Sequence, residues 1–259
     1  MINKIIILFK IARKIGSSDI IEIVDRSHKV PFFIKLFFNL VSLSFSKNQK
    51  KTGHTNDLSA SIQDLGTTFI KLGQFLATRP DIIGEELTKN LEKLQDKLPP
   101  FSKSLAENII REELGELTAK NIIEFSEPVA AASIAQVHKA RINEGNTIKD
   151  VAVKVLRPKI KEIFNSEIDA IMMLAYLVET FIPKTKRLKL IEVVFLFKEI
   201  TNHEMDLRFE AAAANEYSEN TKNDLGFNVP KIYWNFTSES VLTLDWVDGI
   251  SIREKDKLI

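Results

Sequence analysis

Apolar residues recur at spacings of three and four through the first part of the chain. Leu58, Ile62, Leu65, Phe69, Leu72 and Leu76 form one such stripe. It predicts a helix over 57–79 that ends at Arg79-Pro80, because the residue before a proline is pushed out of helical conformation. Further helices are predicted at 84–97 and 102–114, separated by Pro99-Pro100. Residues 1–46 read as two helices broken near Gly16 and Pro31, followed by a polar linker, NQKKTGHTND, at 48–57. The period then changes. IIEF (122–125), SIAQVHKARI (133–142) and VAVKVL (151–156) are short, rich in β-branched residues and separated by turn-forming stretches such as NEGN (143–146), which predicts an antiparallel meander. Helical spacing returns at 158–182 and at 188–220, and two more strands are predicted at 229–236 and 240–246.

The order of three strands, a long helix and two strands is that of the small lobe of a protein kinase. The fold class expected is therefore α+β: a helical extension, then a kinase-like small lobe with a five-stranded antiparallel sheet and a long helix of the αC type. The divisions expected are a basic amphipathic segment and linker at 1–54, a helical extension at 55–115 and the lobe at 116–259. About twice as much chain as follows Ile122 would be needed for both lobes of a kinase, so the large lobe is expected to be missing.

Composition narrows the chemistry. The chain has 259 residues, 44% of them hydrophobic, which is ample for a packed core. With no cysteine, thiol nucleophiles, disulfides and thiolate metal sites are excluded. The four histidines, His28, His54, His138 and His203, have no metal-binding spacing. Net charge is +1, but residues 1–54 carry ten Lys or Arg against three Asp or Glu, a local +7. Lys10, Arg13, Lys14 and Lys35 interrupt the apolar runs at 5–15 and 31–45, so neither reaches the roughly 20 apolar residues a spanning helix needs. Two readings of residues 1–46 stand at this point: an element lying on an anionic membrane surface, or apolar faces that pack onto the helices after them.

The charged stations follow from position. Lys154 closes the alternating run VAVK and shares a strand face with Ala152. If that face looks inward, the ammonium needs an anionic partner such as a carboxylate or phosphate; an edge-strand lysine pointing into water is the alternative. Glu210 is the candidate partner. On one continuous helix Glu204 and Glu210 would be rotated by roughly 240° and serve different partners, whereas Asp206 and Glu210 would share a face. Lys71, with Gln74 three residues on, is the candidate for Glu204. The turn between the first two strands reads Ala130-Ala131-Ala132-Ser133, with no glycine between Gly115 and Gly145. A kinase lobe has a glycine-rich loop over the phosphates at this place, so the turn is either a ligand loop of stiffer build or simply a tight turn.

FIKLGQFLATRPDIIGEEL (69–87), EPVAAASIAQVHKARI (127–142), VAVKVLRP (151–158), HEMDLRFEAAAANE (203–216) and VLTLDWVDGI (241–250) together resemble the UbiB family of atypical protein-kinase-like proteins, linked to ubiquinone biosynthesis. The resemblance implies an ATP-binding kinase-like fold, with an alanine-rich loop (Ala130, Ala131, Ala132, Ser133) and Lys154 paired with Glu210 at the nucleotide. It also implies a KxGQ segment (Lys71, Gly73, Gln74) that covers the substrate-docking face and meets an ExD motif (Glu204, Asp206). The cofactor implied is ATP with Mg2+, whose metal ligands are not in this chain. The family's catalytic loop would lie beyond Ile259, so the chain is expected to be an N-terminal portion without turnover. The partners implied are nucleotide, a membrane lipid surface and other ubiquinone-biosynthesis proteins or a separate C-terminal half, with no nucleic acid. The place implied is the cytoplasmic side of a bacterial inner membrane, bound peripherally. The alternative is a non-catalytic nucleotide- or lipid-binding interaction module left from a split gene.

Overall fold

The computed structural model describes residues 2–17, 20–27, 35–36, 58–92, 94, 98–145, 147–250 and 256. In chain order the helices before the sheet are α1 (Ile2–Ser17), α2 (Ile20–Ser27), α3 (Leu58–Leu65), α4 (Thr67–Ala77), α5 (Pro80–Ile83), α6 (Glu85–Leu91), α7 (Lys103–Leu114) and α8 (Glu116–Ala119). The strands β1 (Ile122–Ile123), β2 (Pro128–Ala131), β3 (Ala135–Glu144) and β4 (Thr147–Leu156) follow. Then come α9 (Ile160–Phe181), a 3-10 turn (Pro183–Leu188), α10 (Leu190–Glu204), α11 (Leu207–Thr221), a second 3-10 turn (Trp234–Phe236) and β5 (Val241–Asp245). Two compact units result, residues 1–97 with 159–202 and residues 98–158 with 203–259.

Among the described residues, the regular structure of the first unit is all helical. The apolar stripe predicted as one helix over 57–79 is two, because Gly66 takes a φ of 111° that glycine alone adopts without strain. Its carbonyl accepts from the N–H groups of Phe69 and Ile70, so α4 starts in a new direction with the apolar spacing preserved. The helix predicted at 84–97 ends at Leu91. Phe197 of α10 stacks edge-on to Phe164 of α9 and lies 5.6 Å from Phe75 of α4, so one aromatic cluster ties three helices. Ile11 and Ala12 of α1 are buried, while Lys10 and Arg13 of the same helix are exposed. The break expected near Pro31 and the linker at 48–57 lie outside the described residues.

The second unit carries the five-stranded antiparallel sheet, in the order β1-β3-β4-β5 with β2 also paired to β3. β3 and β4 pair without interruption from Ala135↔Leu156 to Glu144↔Thr147, and Gly145, just after β3, has a φ of 66°. Val151, Val153 and Val155 are fully buried on one face of β4. They pack with Ala140 and Ile142 of β3, Val241 of β5 and Ala106 and Ile110 of α7.

Strand membership differs from the sequence expectation at two places. Residues 229–236 are not a strand: only Ile232 bridges Leu244, and Trp234–Phe236 turns as a 3-10 helix. Pro230 has no N–H to donate to a ladder, and the Phe236 N–H closes the turn on the Tyr233 carbonyl. The fifth strand is instead β2, formed from the segment that the sequence presented as a turn. The helix predicted at 188–220 is likewise two helices, broken at Met205-Asp206.

Candidate functional site

Lys154 is placed by the pleat of β4. Because Val151, Val153 and Val155 fill the core, alternation sends Ala152 and Lys154 to the opposite face, not the core-facing side considered from sequence. Register then fills in their surroundings. Val137, Lys154 and Leu242 lie in one cross-strand row, and Lys139, Ala152 and Leu244 in the next. This face mixes apolar side chains with two lysines: Lys139, whose Nζ lies 4.8 Å from the centre of the Trp246 ring, and Lys154, whose side chain is 26% exposed.

Glu210 is placed by the start of α11. Asp206 takes an extended backbone conformation as the N-cap, and its carboxylate accepts from the Arg208 N–H at 3.1 Å. The same carboxylate accepts from Arg208 Nε at 2.9 Å and Nη2 at 2.7 Å. The Leu207 N–H donates to the Glu239 carbonyl, and Met205, Leu207 and Ala211 are buried, so the helix end is pinned. Glu210 therefore sits in the first turn, where unpaired N–H groups favour a carboxylate. Lys154 Nζ donates to both of its oxygens, at 3.0 and 2.7 Å. The break before Leu207 removes the shared face expected of Asp206 and Glu210. Asp206 caps the helix and Glu210 reaches the sheet.

The alanine-rich segment is held rigidly. Ala130 and Ala131 pair with Val137 and Gln136 as part of β2, and the Ala132 N–H donates to the Ala135 carbonyl at 2.8 Å. The Ala132 carbonyl accepts from Arg157 Nε at 3.1 Å and Nη2 at 2.8 Å, while Arg157 Nη1 donates to the Pro99 carbonyl at 3.0 Å. Ser133 is fully buried behind the turn.

Sequence reasoning passed over three residues that build this region. Gln136, buried on the core side of β3, donates to the Phe101 carbonyl and accepts from the Phe101 N–H. Its Nε2 lies 2.9 Å from His138 Nε2, and His138 Nδ1 lies 2.8 Å from the Ser126 carbonyl. The network is satisfied by one tautomer: Nδ1–H donates to Ser126 and Nε2 accepts from Gln136. Burial lowers the pKa of His138, whose ring stacks on Phe125 at 4.2 Å. Their place inside the AAASIAQVH run, together with Arg157 shortly after VAVK, was the only signal in the sequence.

Lys71, Gly73 and Gln74 lie on α4 in the first unit, Gly73 buried and the other two half-buried. Gly73 marks a close approach: a Cβ there would overlap Leu94 Cδ1 and touch Ile62 at 3.5 Å and Leu91 at 3.7 Å. Glu204, exposed at the end of α10, belongs with Asp206 to the second unit.

A five-stranded antiparallel sheet with a lysine on β4, bonded to a glutamate in the first turn of α11, is the small lobe of a protein-kinase-like fold. Residues 93–259 match the ABC1 atypical kinase-like domain, and the chain belongs to that family. A probable protein kinase UbiB of Marinobacter nauticus is 35% identical over 227 residues, covering 87% of this chain and 41% of that protein. Its counterpart in Pseudomonas aeruginosa is 37% identical over 202 residues, covering 78% of this chain and 37% of that one. A Mycobacterium tuberculosis protein solved in complex with erythromycin matches with a TM-score of 0.53 and 28% identity, over 77% of this chain and 49% of that chain. The chain thus spans about two fifths of the length of the curated relatives it matches.

Proposed function

We propose that this chain forms the nucleotide-holding part of an ATP-dependent atypical kinase or ATPase of the UbiB type, supporting ubiquinone biosynthesis at a membrane surface. The observation that carries the reading is the bidentate Lys154–Glu210 pair standing on the sheet face away from the core. Glu210 fixes the ammonium beside the half-buried Val137 and Ala152, apolar side chains suited to a purine ring. Lys154 keeps one further N–H donor for a phosphate oxygen while its carboxylate partner holds the side chain extended. The rim at Ala130, Ala131, Ala132 and Ser133 contributes shape, since the N–H and carbonyl of Ala132 are committed to Ala135 and Arg157. ATP with Mg2+ supplies the transferable phosphoryl group when bound, and we assign the magnesium ligands to no residue of this chain.

In a thermal-shift titration, Mg2+–ATP is expected to raise the melting temperature of the chain, because a ligand that binds only the folded state stabilises it. Lys154→Met is expected to remove that shift while leaving the ligand-free melting temperature within a few degrees, since the pair is half-exposed. An unchanged nucleotide-dependent shift in the variant would take Lys154 out of the site.

A further inference from the structure

The sheet face that carries Lys154 carries a second lysine that the pair with Glu210 does not use. Lys139 of β3 stands directly opposite Ala152, and Ala152 is the residue before Lys154 on this face of β4. One step of that alternation is about 7 Å, so the two lysines bracket the half-buried Val137 and Ala152. The backbone of Lys139 is pinned on both sides: its N–H donates to Ser126 Oγ at 2.9 Å, and its carbonyl accepts from the Ser126 N–H at 2.8 Å. Its Nζ lies over the Trp246 ring and meets no carboxylate or other hydrogen-bond acceptor among the described residues. The ring is held as firmly. Val241 and Thr243 fill the core side of β5, so alternation sends Leu242, Leu244 and Trp246 to the face of Lys154. The Trp246 N–H donates to the Asp150 carbonyl at 3.1 Å, one residue past the end of β5, and the indole N–H donates to Asp248 Oδ1 at 2.8 Å.

We infer that Lys139 and Trp246 form the base end of the nucleotide site, the ammonium donating to a ring nitrogen at the purine edge and the indole closing the surface beside it. The inference rests on the reading of Lys154 as the residue that meets phosphate. Given that end, the order along the strands fixes the other: from Lys154 the face runs over Val137 and Ala152, where a purine lies, and then reaches Lys139 and Trp246. The chemistry agrees with the order. A ring face attracts an ammonium without neutralising it, so the cation keeps its N–H donors for a ligand, and a purine presents in-plane nitrogen acceptors at its edge. Lys139 is half-buried, where such a bond is stronger than in open water. Glu210 thus sets one lysine for phosphate, and Trp246 sets the other for the base.

The test uses the full chain and competition by ATP and by adenosine against a fluorescent ATP derivative labelled on the ribose. Adenosine has no phosphate, so a change in its affinity reports the base end free of any effect of charge on phosphate. Lys139→Met is expected to weaken adenosine and ATP about tenfold each. Lys139→Arg, which keeps the cation, its donors and its stacking on the ring, is expected to recover most of that loss. Lys154→Met is expected to weaken ATP and leave adenosine unchanged. Trp234 and Trp246 are the chain's two tryptophans, so in a Trp234→Phe background the emission reports Trp246 alone, and adenosine is expected to change it. If the wild-type chain does not bind the fluorescent ATP, the nucleotide reading fails and the inference with it. If it binds but adenosine does not compete, or Lys139→Met leaves adenosine affinity unchanged, or Trp246 emission does not respond to adenosine, the inference alone is overturned.

Discussion

At Gly73 in α4 smallness is a matter of room, since any Cβ would run into Leu94 and touch Ile62 and Leu91. At Ala130–Ala132 it is a matter of bonding, since the segment is half strand and half turn, and Arg157 holds the carbonyl of Ala132. Both stretches read in the sequence as runs of small residues beside charged stations. One is small because two helices approach, the other because a strand must bend within a few residues of the sheet face that carries Lys154. The same signal thus arises from core packing in one unit and from hydrogen-bond geometry in the other, and substitutions separate them.

The largest effect is expected where room is the constraint. Gly73→Val should cost about 1–3 kcal/mol of unfolding free energy by overpacking. Gly73→Ala should fall within about 1 kcal/mol of wild type, because the obstructing atom is the end of a flexible leucine and alanine favours the helix. Chemical denaturation of the two variants tests this order, and equal losses would show that room at this position does not matter.

Next comes Arg157→Ala, which should cost about 1–3 kcal/mol by removing charge-assisted bonds to two carbonyls. Arg157→Lys should recover little of it, because an ammonium cannot reproduce the planar fork that reaches Ala132 and Pro99 together. Amide exchange at Ala132 would report the loosening directly, and recovery in the lysine variant would show that charge alone braces the turn.

The smallest effect is a pH dependence confined to the turn's support. His138 is held neutral by burial, and a second ring proton would oppose the Gln136 amide. Its folded pKa lies below the unfolded value of about 6.5, so the unfolded state binds the proton more readily. Stability from this residue is therefore complete above about pH 6.5 and declines as pH falls below it. Urea denaturation of wild type and His138→Gln at about pH 7.5 and about pH 5.5 should show a smaller acid-induced loss in the variant. An equal loss would assign the acid sensitivity to other groups.

Local pattern made much of this legible. The β3–β4 hairpin, α7 and α9 follow from period, turn chemistry and proline position, and the partnership of Lys154 with Glu210 followed from their places in a kinase-like order. What stayed hidden depends on contacts distant in sequence or on a single backbone angle. The stripe through Leu58 and Leu76 has unbroken spacing, so only the φ of Gly66 reveals two helices. Asp206 reads as a helix residue until the Leu207 N–H is seen to bond Glu239, which makes the aspartate a cap. Lys154 alternates correctly along its strand, but which face is core is decided by α7 and β5 packing onto the valines.

The account turns on Lys154 and Glu210 acting as one unit toward nucleotide. The most direct measurement is a double-mutant cycle on Mg2+–ATP affinity with Lys154→Met, Glu210→Gln and the combined variant. Each single change is expected to weaken binding, and the double variant is expected to be little worse than Lys154→Met alone, a coupling of about 1 kcal/mol or more. Losses that simply add, or a Glu210→Gln variant that binds as tightly as wild type, would contradict the claim that this pair holds the nucleotide.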